Sequence, residues 1–337
     1  MNLVIFAGGT SSERDVSLAS SAAVYKAMTD AGHSITMIDT ASGEFITPET
    51  LAQVGTAPPD RIALKKASEK QLAVYSQLIG SDIVKKADAI FLGLHGGIGE
   101  NGKLQSLLDL ANIRYTGSGV LASALAMNKV MSKRVFGSIG VPTPQYLFFK
   151  RNESHTKIAS RIESDFSFPL IIKPNEEGST VGLSLVKDRP ELTAAIGKAA
   201  QYSDILVEEY IEGRELTVAV VGDQALPVIE IIPQSGFYDY EHKYTKGKTQ
   251  YVCPADIPAN VAEDAKRFAK QAFDGINCRG YARIDFRLSL ENKLYCLEVN
   301  TLPGMTATSL VPKAAKAVGI EFDQLIEKII QLASAET

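Results

Sequence analysis

Residues 280–303 read GYARIDFRLSLENKLYCLEVNTLP, a stretch that two strands and a turn account for. Ile284, Phe286 and Leu288 alternate with Arg283, Asp285 and Arg287. After Leu294, the residues Cys296, Glu298 and Asn300 alternate with Leu297 and Val299. The turn is placed at Glu291-Asn292, and a symmetric loop there pairs Asp285 with Glu298 and Arg283 with Asn300. Side chains two apart on a strand share a face, as do directly paired residues. Arg283, Asp285, Glu298 and Asn300 therefore converge on one face with an apolar face behind. Two carboxylates roughly 5 Å apart across a ladder repel each other. A hard dication relieves that repulsion, and two carboxylates with an amide oxygen suit Mg²⁺. The plainer reading is a hairpin with one face in water.

Working outward, 337 residues hold two or three domains with sizeable cores. A net charge of −4 without long single-sign runs gives no general nucleic-acid footprint. Cys253, Cys278 and Cys296 form no CxxC pair, which fits a reducing compartment and neither a disulfide framework nor a zinc site. MNLVIFAGG lacks the basic region and apolar length of a signal peptide. No stretch approaches the ~18 apolar residues of a membrane helix. The expectation is a cytoplasmic protein without membrane insertion.

The first third alternates strand and helix: Leu3–Phe6 as a strand, about Val16–Ala31 as a helix stopped at Gly32, then strands at Ile35–Ile38 and Ala89–Leu94. That alternation predicts a parallel sheet covered by helices. Residues 41–87 carry little pattern. VLASALAMNKVMSKRVFGSIG, from Val120, reads as one helix closed by Gly140, and VPTPQYLFF as an extended segment. PLIIKPNEEGSTVGLSLV reads as two strands around a polar glycine turn. Beyond Ile205 the pattern is mostly β, with a helix near Val261–Phe273 and two more at Ser309–Val318 and Phe322–Ala333.

Two motifs mislead. GIGENGKL (Gly97–Leu104) nearly matches a P-loop, but Leu104 stands where Ser or Thr must reach Mg²⁺. GSGVLA (Gly117–Ala122) matches the dinucleotide fingerprint, yet Ile139-Gly140 occupy the place of the ribose-binding acid. No GxSxG elbow or HExxH helix exists.

Phosphate chemistry needs a cationic handle, backbone donors and magnesium. Lys173 ends the strand LIIKP. GSTVG, Gly178–Gly182, offers backbone N–H groups to an anion. Glu208-Glu209-Tyr210-Ile211 reads as a linker whose backbone meets an adenine edge, with Glu215 at the ribose. The metal hairpin follows.

With this order the chain resembles the ATP-grasp superfamily and, within it, the D-alanine–D-alanine ligase family. The motifs are GGTSSERDVSL, LHGGIGENGKLQ, YTGSGVLASALAMNK, IIKPNEEGSTVG, FYDYEHKY and LEVNTLPGMTATSLVP. Together they run nearly the length of the chain. The resemblance implies α/β and α+β architecture: an N-terminal parallel-sheet, Rossmann-like domain (1–120), a central ATP-grasp subdomain (121–205) and a C-terminal ATP-grasp subdomain (206–337). It implies ATP-dependent, ADP-forming joining of two D-alanine molecules through an acyl phosphate for peptidoglycan synthesis. The implied cofactors are two Mg²⁺ (or Mn²⁺), and the implied assembly is a homodimer.

Carried over by position, Lys129 and Lys173 would contact ATP phosphates and adenine. Glu208, Glu209 and Ile211 would line the adenine pocket, and Glu215 the ribose. Asp285, Glu298 and Asn300 would hold metal, with Glu298 bridging. Glu13 would bind the ammonium of the first D-alanine near His95, and Ser179 and Tyr244 would link to Glu13. Arg283 and the Gly304 N–H would form an oxyanion site, and Lys243, Ser309 and Leu310 would hold the second carboxylate. The lids are placed at 178–182 and 236–250. Asn101 and Asn128 depart from the family, whose members often carry Asp there. Two alternatives stand beside this reading. A ligase taking D-lactate or D-serine second is argued against by Tyr244, and a non-catalytic nucleotide binder by the intact metal set.

Overall fold

The computed structural model describes residues 1–47, 61–233 and 249–334. Strands β1 (Asn2–Ala7), β2 (Ser34–Asp39) and β3 (Ala89–Leu92) form a parallel sheet in the order β2-β1-β3. The run Leu3–Ala7 is buried throughout, as a strand covered on both faces requires. Helix Arg14–Asp30 follows β1. It ends where Gly32 takes φ +88. There the N–H groups of Gly32 and His33 return to the carbonyls of Thr29 and Met28, the helix stop read from the sequence.

Residues 61–85, within the weakly patterned region, form helices at Arg61–Glu69, Gln71–Gly80 and Asp82–Lys85. The helix expected from Val120 is instead two, Val120–Met127 and Lys129–Ser138. Asn128 breaks it with extended backbone, φ −90 and ψ 93, and its Oδ1 accepts the Met131 N–H at 3.1 Å as an N-cap. Asn caps as well as Asp, so this departure from the family keeps the local structure.

Strands β4 (Tyr146–Phe149), β5 (Leu170–Pro174), β6 (Ser184–Val186) and β7 (Ile205–Glu209) build an antiparallel sheet in the order β4-β7-β5-β6. Strands β8 (Gly213–Val221), β9 (Gln224–Ala225), β10 (Ile229–Pro233), β11 (Thr249–Val252), β12 (Tyr281–Ser289) and β13 (Leu294–Asn300) form the third sheet. Its order is β11-β10-β8-β12-β13, with β9 on β8. Helix Ala259–Gly275 covers the apolar face of that sheet through Val261, Ala265, Ala269, Ala272 and Phe273. Among the described residues, no helix is long and apolar enough to cross a membrane.

The β12–β13 hairpin pairs Arg283 with Asn300 and Asp285 with Glu298, as its alternation predicts. Nearer the turn the register slips by one: Phe286 pairs with Cys296 and Leu288 with Leu294. Leu297 is the extra residue of a bulge, and the turn shifts to Leu290–Asn292. Cys296 therefore enters the core beside Phe286, rather than sharing the face of Glu298, and Leu297 turns to the cleft. The Cys296 N–H leaves the hairpin ladder for the Pro142 carbonyl, 2.7 Å away.

Candidate active site

A cleft lies between the second and third sheets. Lys129, Lys173, Glu208, Glu209, Ile211 and Glu215, the six residues read as nucleotide contacts, all line it, with Ser179, Asp285 and Glu298. Lys129 sits one residue past the Asn128 break, so its side chain goes inward and is 6% exposed. Its Nζ donates to the Glu177 carbonyl at 2.5 Å and stands 3.7 Å from Glu298 Oε2. Burial draws the Lys129 ammonium below its ordinary range, against the pull of Glu298. Lys173, on β5, pairs with Glu208 Oε2 of the adjacent β7 at 2.7 Å. The Glu209 carboxylate accepts the Gln145 N–H at 2.8 Å. The turn over the cleft places Ser179 (φ 48) and Thr180 (φ 58) in left-handed backbone. Thr is β-branched and rarely goes there, which marks the turn as held against its preference.

On the hairpin face, Asp285 accepts from Arg283 Nε (2.9 Å) and Nη2 (2.8 Å), Thr217 Oγ1 (2.6 Å) and Asn300 Nδ2 (3.1 Å). Asp285, Glu298 and the Asn300 amide supply hard oxygen donors alone, the set that Mg²⁺ or Mn²⁺ takes. No cluster of three His, Cys, Asp or Glu exists among the described residues, so the set depends on the Asn300 amide.

Glu13 is the N-cap residue of Arg14–Asp30, yet its side chain makes no cap bond. Its Oε1 accepts from Ser179 instead. A Cβ at Gly96 would lie 2.7 Å from Glu13 Oε2, and one at Gly178 3.1 Å, so these glycines make room for the carboxylate. Glu13 and Ser179 thereby join the first domain to the glycine turn. His95 is buried, with Nδ1 2.7 Å from the Leu302 carbonyl and Nε2 3.1 Å from Ser20 Oγ. These partners assign the neutral tautomer with the proton on Nδ1. Burial lowers its pKa, Glu13 opposing. His95 thus ties the first sheet to the loop carrying Gly304.

A Cβ on Gly304 would meet Ser309 Oγ at 3.3 Å, so these two stand together. Ser309 Oγ accepts the Thr306 N–H at 3.0 Å, and Ser309 stands at the N-cap position of helix Leu310–Lys316 without a side-chain cap bond. Lys243 and Tyr244, and most of the loop 236–250, lie outside the described residues.

Two residues of this region escaped the sequence reading. Arg287 donates to the Ile211 carbonyl (3.1 Å) and the Gly213 carbonyl (2.9 Å), pinning the linker between β7 and β8. It shares the face of Arg283 and Asp285 by simple alternation, which was the available signal. Lys133 lies four residues after Lys129, on the same helical face, and pairs with Glu208 Oε1 at 2.6 Å.

A family model described as the D-ala D-ala ligase N-terminus matches residues 2–118, and one described as its C-terminus matches 135–331. The chain is 40% identical over 333 residues to the D-alanine–D-alanine ligase of Syntrophotalea carbinolica, covering 98% of this chain and 96% of that protein. It is 39% identical over 339 residues to that of Carboxydothermus hydrogenoformans, covering 98% of each. The Bacillus anthracis D-alanine–D-alanine ligase solved with ATP superposes at a TM-score of 0.76 with 28% identity, over 99% of this chain and 96% of that one. The VanG D-Ala:D-Ser ligase of Enterococcus faecalis superposes at 0.78 with 30% identity, over 98% of each. The near-P-loop Gly97–Leu104 falls within the N-terminal match and Gly117–Ala122 straddles its end, while the cleft residues named above other than Lys129 fall within the C-terminal one. The chain belongs to the D-alanine–D-alanine ligase family.

Proposed function

We propose that this ATP-dependent ligase joins two D-alanine molecules into D-alanyl-D-alanine for peptidoglycan precursor synthesis, releasing ADP and phosphate. One observation carries the reading: Lys129, Lys173, the Asp285–Glu298 pair and the Glu13-bound Ser179 border one cleft. Glu13 holds the ammonium of the first D-alanine, His95 stands beside it, and the substrate carboxylate attacks the γ-phosphorus of ATP. Lys129 and Lys173 neutralise the phosphate oxygens, while Glu208, Glu209, Ile211 and Glu215 hold adenosine. Asp285, Glu298 and Asn300 would hold two Mg²⁺ or Mn²⁺, which supply charge neutralisation at the transferred phosphoryl group.

The amine of the second D-alanine then attacks the acyl phosphate, with its carboxylate on Lys243, Ser309 and the Leu310 N–H. Arg283 and the Gly304 N–H stabilise the tetrahedral oxyanion, worth about 3 kcal/mol per donor. Tyr244 completes the network of Glu13 and Ser179. The turn 178–182 and loop 236–250 close over the site and exclude water. The working unit is a cytoplasmic homodimer, its chain divided at 1–120, 121–205 and 206–337.

Phosphate release from ATP with single D-amino acids and with pairs, and product identity by mass, test the reading. Phosphate release without a dipeptide product from any pair refutes it. The likeness to a D-Ala:D-Ser ligase favours D-serine as the second substrate to compare first.

A further inference from the structure

Lys133 is one of the largest fully buried side chains of the protein, its side chain 0% exposed. An ammonium so placed needs partners, since burying an unpaired charge costs several kcal/mol. Its Nζ stands 2.6 Å from Glu208 Oε1, 2.5 Å from Thr143 Oγ1 and 5.5 Å from the centre of the Tyr146 ring. Thr143 in turn donates to the Cys296 carbonyl at 2.8 Å, two residues before Glu298. Glu208 lies between two ammoniums, Lys133 on Oε1 and Lys173 on Oε2. The two lysines differ in one respect. Lys173 lines the cleft, and Lys133 stands behind its wall.

Nucleotide phosphates entering the cleft draw on Lys173 and divide its charge between themselves and Glu208. Lys133, out of their reach, keeps Glu208 compensated. Burial pushes the Glu208 carboxyl up, but Lys133 first and Lys173 next outweigh it and hold the group below its ordinary range. A fixed carboxylate at the base pocket accepts hydrogen bonds and donates none. Facing position 6 of a purine, it accepts from the amino group of adenine and repels the carbonyl oxygen of guanine.

We propose that Lys133 is a positioning residue of the nucleotide site: it holds Glu208 as a fixed acceptor and through it sets the preference for adenine over guanine nucleotides. The inference rests on Glu208 lining the base pocket, as given under the proposed function. Lys133 acts through Glu208 and touches no substrate.

The test is a double-mutant cycle read by calorimetric binding of ADP and GDP with Mg²⁺ to the full chain. The variants are Lys133→Met, Glu208→Gln and the two combined, with Lys133→Gln as a second lysine variant that keeps a donor and the fold. Glu208→Gln is expected to lower the ADP-over-GDP preference tenfold or more, and Lys133→Met to do the same. The combined variant is expected to fall within about twofold of the worse single one, because both changes remove one function. A Lys133→Met protein, or Lys133→Gln where the former does not fold, that keeps the preference within twofold while Glu208→Gln loses it overturns the inference and leaves the Glu208 reading standing. Additive losses also overturn it, since Lys133 would then act by another route. A Glu208→Gln protein with unaltered preference refutes the base-pocket reading and the inference with it.

Discussion

Glu100 is one residue through which pH enters this fold. It sits in GIGENG, part-buried, and its Oε2 accepts the Gly96 N–H at 2.8 Å. Burial raises its carboxyl to about 8, helped by the nearby Glu13 and opposed by backbone N–H groups and Arg283. The unfolded chain holds the same group near 4.5. A raised carboxyl pKa means the native state carries one more proton than the unfolded state between those two values. Stability from this group is complete below pH 4.5, falls as pH rises, and is lost above 8. At about 1.36 kcal/mol per decade, the loss from pH 6 to pH 9 is at most about 2.7 kcal/mol, solvent screening of a part-exposed group reducing it. Glu100→Gln keeps an acceptor oxygen for Gly96 and removes the titration. Urea unfolding of both proteins at pH 6 and pH 9 reads the effect. The wild type should lose ground to the variant by about 1–3 kcal/mol across that interval. The comparison cancels the titrating groups remote from Glu100, and it does not require one transition for the whole chain, only matched transitions. A stability difference that is equal at both pH values refutes the assignment of a displaced proton to Glu100.

Three further outcomes follow from the site. Glu298→Gln removes the charge that stands 3.7 Å from Lys129 and should lower turnover at least a hundredfold in a protein that still melts cooperatively; near-normal phosphate release counts against metal on the hairpin. Gly182→Ala combines left-handed backbone at φ +72 with a Cβ 2.6 Å from Pro174 Cγ, whereas Gly140→Ala has φ +74 and open space. The first should destabilise by about 2–4 kcal/mol and the second by about 1–2, and equal melting shifts would remove the close contact from the account. Tyr244→Phe should shift products toward a D-lactate ester over the dipeptide, most at low pH where the amine is protonated, and an unchanged product ratio across a pH series excludes Tyr244 from nucleophile choice.

The parts of this protein legible in the sequence are those whose period survives folding. Leu3–Ala7 is buried on both faces, and an uninterrupted apolar run declares it. Arg283, Asp285, Glu298 and Asn300 share a face because the hairpin pairs them directly. The bulge at Leu297 was not legible. It depends on Pro142, more than 150 positions away, accepting the Cys296 N–H, and alternation carries no trace of that bond. The break at Asn128 was hidden for a related reason. An apolar helical period runs through it, and the break is held by the cap bond to Met131, the Asn128–Glu176 contact at 2.8 Å, and Asn175, which accepts the N–H groups of Lys129 and Val130. Glu13 and His95 came from motif resemblance alone, and Glu100 was not singled out at all. Their meeting with Ser179 and Leu302 joins residues distant in sequence, and no local pattern can announce it.

The bulge and the break serve the same end. Without the slip at Leu297, β13 would set Cys296 on the face of Glu298 and leave Leu297 facing the core. With it, Cys296 joins Phe286 in the core, its carbonyl receives Thr143, and Glu298 stays opposite Asp285. Without the break at Asn128, Lys129 would continue the course of the preceding helix. With it, the Lys129 backbone N–H reaches the Asn175 carbonyl and its ammonium reaches Glu177 and Glu298. Two local departures from regular structure thus bring a cation at a helix start to the carboxylate pair on the hairpin. The Lys129 ammonium thereby holds the Glu177 carbonyl beside the glycine turn and the Glu298 carboxylate on the hairpin at once. Under the proposed function, a nucleotide polyanion would meet Lys129 and Lys173 on the two sides of the cleft, and its binding would favour whichever arrangement brings both within reach.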